Sequence, residues 1–76
     1  MSKFNSMVEA EVASAREKHA PINSAHEGYS VILEELDEFW EEVRKKRVDR
    51  SKGKMLSELI QVAAMAQRTA EDLQLS

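Results

Sequence analysis

The chain has 76 residues, enough for one domain at most, and a domain of that size buries only a modest fraction of its surface as a monomer. It contains no cysteine, which excludes disulfides and thiolate metal sites, and its net charge of −3 argues against nucleic acid, because binding a phosphate backbone usually needs a basic surface. No stretch approaches a membrane span and the N-terminus lacks the apolar run of a signal peptide, so the expected setting is the cytoplasm, with no membrane partner. Two glycines, one proline and long stretches without turn signals predict an all-α chain. The expectation is about three helices in an antiparallel bundle, completed by oligomerisation because the apolar faces exceed what one short chain covers.

The first helix is predicted from about Lys3 to Lys18, where Phe4, Met7, Val8, Val12 and Ala15 recur at helical spacing. It should end near His19-Ala20, since Pro21 disfavours helical geometry in the residue before it. After the connector His19 to Asn23, Ser24 followed three residues later by Glu27 is a capping-box signature, and the second helix is predicted from there to about Lys46. Its stripe of Tyr29, Ile32, Leu33, Leu36, Phe39, Trp40 and Val43 reads as core packing in preference to base stacking. Gly28 costs that helix about 1 kcal/mol relative to alanine, which a close helix contact would justify.

Glu41 with Lys45 and Glu42 with Lys46 stand four apart in the favourable order and read as solvated stabilisers, each contributing roughly 0.2–0.5 kcal/mol. The basic run Arg44 to Arg47, with Arg50, Lys52 and Lys54, reads as a complement to a helix C-terminal dipole. Val48 to Lys54, containing Gly53, is the predicted connection, and the third helix is predicted from about Lys54 to Leu73. That helix is apolar around most of its wheel and should be central in a bundle. Ala63, Ala66 and Ala70 would admit a second helix closely, for example the same helix of another subunit.

The candidate chemistry lies in two acidic segments, Glu34-Glu35-Leu36-Asp37-Glu38 and Glu58-Leu59-Ile60-Gln61. Glu35 and Glu38 are one turn apart on one helix, and Glu58 and Gln61 on the next, so two facing helices would make an oxygen-lined cage. Carboxylates packed that closely repel unless a cation sits among them, and a hard divalent ion such as Mg²⁺ suits oxygen ligands. Glu58 projects between the directions of Val62 and Met65, so burying the third helix carries a carboxylate inward. His26-Glu27-Gly28-Tyr29-Ser30 begins like a zinc-protease motif but has Ser30 in place of its second histidine. His19 and His26 are read as surface or capping residues, and no nucleophilic triad or Gly-rich phosphate loop is present.

In these segments the chain resembles the MazG-like branch of the all-α nucleoside triphosphate pyrophosphatases, marked by EExxE on one helix and ExxD on the next. The similarity covers about Ser24 to Leu73. It implies a homodimer or homotetramer whose subunits jointly build four-helix bundles, and Mg²⁺-dependent (or Mn²⁺-dependent) hydrolysis of a nucleoside triphosphate to monophosphate and pyrophosphate. Carried over by residue, it implies metal ligands Glu35, Glu38 and Glu58, with Gln61 standing where the family has aspartate. Glu34 and Glu38 would be the catalytic carboxylates, and Lys54 and Arg68, on roughly the same side of the third helix as Gln61, would contact phosphate. Glutamine offers a neutral oxygen and no charge, which weakens a two-metal site. The competing expectation is a non-catalytic helical interaction module whose metal site has decayed at Gln61.

Overall fold

The computed structural model describes residues 2–76, which form three α-helices and one 3₁₀ turn. Helix α1 is Lys3–Lys18, α2 is Ala25–Val43 and α3 is Lys52–Asp72, with the 3₁₀ turn at Arg47–Asp49. There are no strands among the described residues, and no helix is long and apolar enough to cross a membrane.

Each helix starts on a serine in extended geometry whose hydroxyl accepts from a backbone amide in the first turn: Ser2 from Asn5, Ser24 from Glu27 and Ser51 from Lys54. The Glu27 carboxylate also reaches back, but to the amide of Asn23 at 2.6 Å, one residue before the cap. At the far end of α3, Gln74 takes a left-handed conformation (φ 58°), and the amides of Gln74 and Leu75 bond to the carbonyls of Glu71 and Ala70. This is the Schellman closure, made with a glutamine where glycine is usual.

Helix α3 is central and packs against both α1 and α2, as its nearly all-round apolar surface requires. Val8, Val12 and Ala15 of α1 meet Ala64 and Met65 of α3, and Val31, Ile32, Ile60 and Ala63 pack around them. Arg16 of α1 binds Asp72 at 2.6 Å and Glu71 at 2.7 Å, and Asp72 also accepts from the amide of Ile22 at 2.9 Å. The end of α3 is thereby tied to the end of α1 and to the connector.

Three expectations need correction. Helix α2 ends at Val43, not near Lys46, and α3 begins at Lys52, so Gly53 lies in its first turn. Glu42 causes this early end: it is 1 % exposed, its carboxylate accepting from the Ser51 amide at 2.8 Å and from the Lys45 ammonium at 3.0 Å. A carboxylate at the N-terminus of α3 complements that helix's dipole and orphan amides, and it draws the chain sharply out of α2. The predicted solvated pairs of Glu42 with Lys46 and Glu41 with Lys45 are therefore replaced by Glu42 with Lys45 and Glu41 with Arg44.

The apolar stripe of α2 is the third correction. Tyr29, Leu36 and Trp40 are 66 %, 47 % and 56 % exposed, so they are not core residues of this chain. Ile32, Phe39 and Val43 of the same stripe are half-buried, and helix α2 turns inward the line Gly28, Ile32, Glu35, Phe39 and Glu42, all buried or half-buried. The close contact at Gly28 sets that rotation, because a Cβ there would lie 2.5 Å from Cγ2 of Thr69. The three-helix fold is as expected; its completion by a second subunit remains a proposal, taken up below.

Candidate metal centre

The inward line of α2 carries Glu35 against α3, and the same packing brings Glu58 across from it. Glu35, Glu38 and Glu58 each present a carboxylate oxygen within 4.8 Å of the others. Glu35 and Glu58 are half-buried and Glu38 is exposed, so the cluster has a closed side and an open one. Oxygens sharing one Mg²⁺ at 2.0–2.1 Å lie no more than ~4.2 Å apart, so small side-chain movements would bring these three into range.

Burial pushes the Glu35 carboxyl up to about 7, with hydrogen bonding to Glu38 and the charges of Glu38, Glu58 and Glu34 acting in the same direction. Burial also raises Glu58, helped by the charge of Glu38 and by hydrogen bonding to it, while Lys54 opposes the shift. Oε2 of Glu58 is buried without any hydrogen-bond partner. Without a cation, this cluster relieves its repulsion by holding a proton. A hard cation would satisfy the orphaned oxygen and replace that proton, so the donor set fits Mg²⁺ or Mn²⁺.

The remaining predicted residues fall around this cluster in distinct places. Gln61, one turn beyond Glu58, is half-buried and lines a cavity of about 450 Å³ together with Glu34 and Glu35. Glu34 is exposed at that wall, and its charge acts on Glu35. Lys54 and Arg68 both lie on α3, about four turns apart, and differ in burial. Lys54 is exposed, outside the cavity wall, and its charge acts on Glu58 and Glu42. Arg68 is 4 % exposed and lines the cavity, donating to the carbonyl of Ala20 at 3.1 Å and contacting the sulfur of Met65 at 3.6 Å.

Two features escaped sequence reasoning. Glu42 is a buried acid at the end of the line that carries Glu35, and their separation of two helical turns was a signal that both face one way. Its carboxyl is held below the ordinary range by the Ser51 amide first and by Lys45 second, which makes it a capping group for α3. The cavity also takes Glu11 and Lys18 from α1, residues that carried no motif. Comparison of the chain with protein-family models, with curated proteins and with solved structures finds no match.

Proposed function

We propose that this protein is a Mg²⁺-dependent nucleoside triphosphate pyrophosphohydrolase, with Mn²⁺ able to serve, working as a homodimer or homotetramer. The observation that carries the reading is the convergence of Glu35, Glu38 and Glu58 from two helices, with one buried carboxylate oxygen left unpartnered. Such an arrangement suits a divalent cation, and a divalent cation suits a polyphosphate substrate. The MazG-like pattern of the two acidic segments selects the reaction. The uncovered apolar line of Tyr29, Leu36 and Trp40 supports the assembly, since it offers a second copy a helical face to pack on.

In this reading Glu35, Glu38 and Glu58 would hold the ion, and Gln61 would add at most a neutral oxygen. A bound Mg²⁺ would supply positive charge to the phosphate oxygens and make a nearby water more acidic. Glu38, on the open side of the cluster, or Glu34, at the cavity wall, accepts the proton as water attacks the α-phosphorus and pyrophosphate leaves. Lys54, exposed one turn before Glu58, would meet the phosphates.

The neutral Gln61 favours a second reading, a non-catalytic helical interaction module on the same scaffold. The two are separated by pyrophosphate release from a panel of ribo- and deoxyribonucleoside triphosphates with Mg²⁺ or Mn²⁺. Release that disappears in Glu38→Ala supports the enzyme. A silent native chain that becomes active as Gln61→Asp supports a decayed site, and silence from both supports the interaction module.

A further inference from the structure

The net charge of −3 conceals a segregation. The stretch from Arg44 to Lys54 holds seven of the chain's eleven lysines and arginines and a single acid, Asp49, leaving four cations against thirteen acids for the rest of the chain. The fold places that stretch at one end of the molecule. It joins the end of α2 to the start of α3, and the start of α1 lies there too, because Met7 and Ala10 share a groove with Gly53 and Leu56. The opposite end holds the first connector and the ties of Arg16 and Ile22 to Asp72.

The fold itself gains little from these cations. Helix α2 has no cation in its last turn, whereas Lys52 and Lys54 stand in the first turn of α3, where the helix dipole disfavours positive charge. Among the described residues Arg44 and Lys45 pair with Glu41 and Glu42, while Lys46, Arg47, Arg50 and Lys52 are exposed and form no ion pair. Their backbone is nonetheless fixed. Arg50 donates from Nε to the Val43 carbonyl at 3.0 Å, the amides of Asp49 and Arg50 bond to the carbonyls of Lys46 and Arg47, and Glu42 holds the Ser51 amide. In the 3₁₀ turn between them Val48 is 89 % exposed, more than any other large apolar side chain among the described residues. Free cations on an ordered turn, beside an uncovered apolar side chain, suit a partner that is anionic at its surface and apolar beneath.

We propose that this end of the bundle docks on an anionic phospholipid surface, with Lys46, Arg47, Arg50 and Lys52 among the headgroups and Val48 at the boundary of the hydrocarbon. No helix is long and apolar enough to cross a membrane, so the contact is peripheral. A surface met end-on also spares the acidic remainder of the chain. At 1.5 Å per residue Glu34 lies about 15 Å along α2 from Arg44, beyond a Debye length of about 8 Å. Nucleic acid offers the same phosphates but no apolar layer for Val48, which is why lipid is the better fit.

The test is flotation of the native chain with vesicles of phosphatidylcholine alone or mixed with phosphatidylserine. It is run in chelator and without nucleotide, so the outcome is independent of the metal centre and of hydrolysis. The mixed vesicles should bind the chain at least about tenfold more tightly, and the difference should shrink as salt rises. A chain carrying Lys46→Gln, Arg47→Gln and Lys52→Gln should lose roughly 100-fold in affinity, given what each cation contributes near such a surface. Val48→Ser should weaken binding to the mixed vesicles about threefold to tenfold, through lost apolar burial. All four side chains are exposed, so the variants should keep the helical circular dichroism of the native chain. Equal binding to the two kinds of vesicle, or undiminished binding by the folded triple variant, would overturn the proposal. So would tighter binding to DNA than to the mixed vesicles, unaffected by Val48→Ser, which would make nucleic acid the partner.

Discussion

Gly28→Ala separates helix propensity from packing. In an isolated α2 the change should stabilise by about 1 kcal/mol, since glycine is the poorest helix former after proline. In the folded chain the new methyl would lie 2.5 Å from Cγ2, 2.9 Å from Oγ1 and 3.3 Å from Cβ of Thr69. Thr69 cannot simply rotate away, because its hydroxyl donates to the carbonyl of Met65 at 2.8 Å. Overpacking of this kind costs about 1–3 kcal/mol, so the net effect is a loss of up to ~2 kcal/mol. In a chain this size each kilocalorie moves the melting temperature by about 4–8 °C. Thr69→Ala removes the two nearest atoms and leaves the 3.3 Å contact, which a small shift relieves. In that background Gly28→Ala should stabilise, giving a coupling energy of at least ~1 kcal/mol in urea unfolding followed by circular dichroism. A gain of about 1 kcal/mol in both backgrounds would mean that α2 and α3 do not meet at this point.

Stability should depend on pH with the sign set by the acidic cluster. The folded pKa of Glu35 is raised from 4.5 to about 7, so its contribution is fully present below about 4.5 and is lost as pH rises to 7. In chelator the urea midpoint should therefore fall between pH 5 and 8, and Glu35→Gln should flatten that fall; a flat native profile would refute the cluster's electrostatics. Asp72 has the opposite sign, its carboxyl held down by the Ile22 amide and by Arg16, so its contribution is lost as pH drops below the ordinary aspartate range. Glu42→Gln should loosen the start of α3, seen as faster hydrogen exchange at the Ser51 amide, because the charge-assisted bond to that amide is weakened. Unchanged exchange there would remove Glu42 from its capping role. Gln74→Gly should raise stability by up to ~1 kcal/mol, since glycine takes the left-handed position without a Cβ penalty; a destabilised variant would contradict the Schellman closure.

The all-α class, the three helices and the central place of α3 were legible in the chain alone. Each depends on local patterns, namely helical spacing of apolar residues, the Ser24 cap at the start of α2 and proline after α1. The glutamates of the candidate centre were legible for the same reason, because spacing of three or four residues places side chains on a common face wherever the helix sits. The rotation of α2 was not. Its apolar stripe is turned inward only in part, with Ile32, Phe39 and Val43 half-buried and Tyr29, Leu36 and Trp40 exposed, because the inward face is decided by the fit of Gly28 against Thr69, a contact between residues far apart in the chain. Only that rotation buries Glu42 beneath the start of α3 and sets Glu35 opposite Glu58. Arg68 followed the same rule: the sequence placed a cation on α3, but the packing of α1 and its connector decided that it would line a cavity with an unmatched donor. Local periodicity is a property of one helix, while burial and pairing belong to surfaces that exist only once the helices have met.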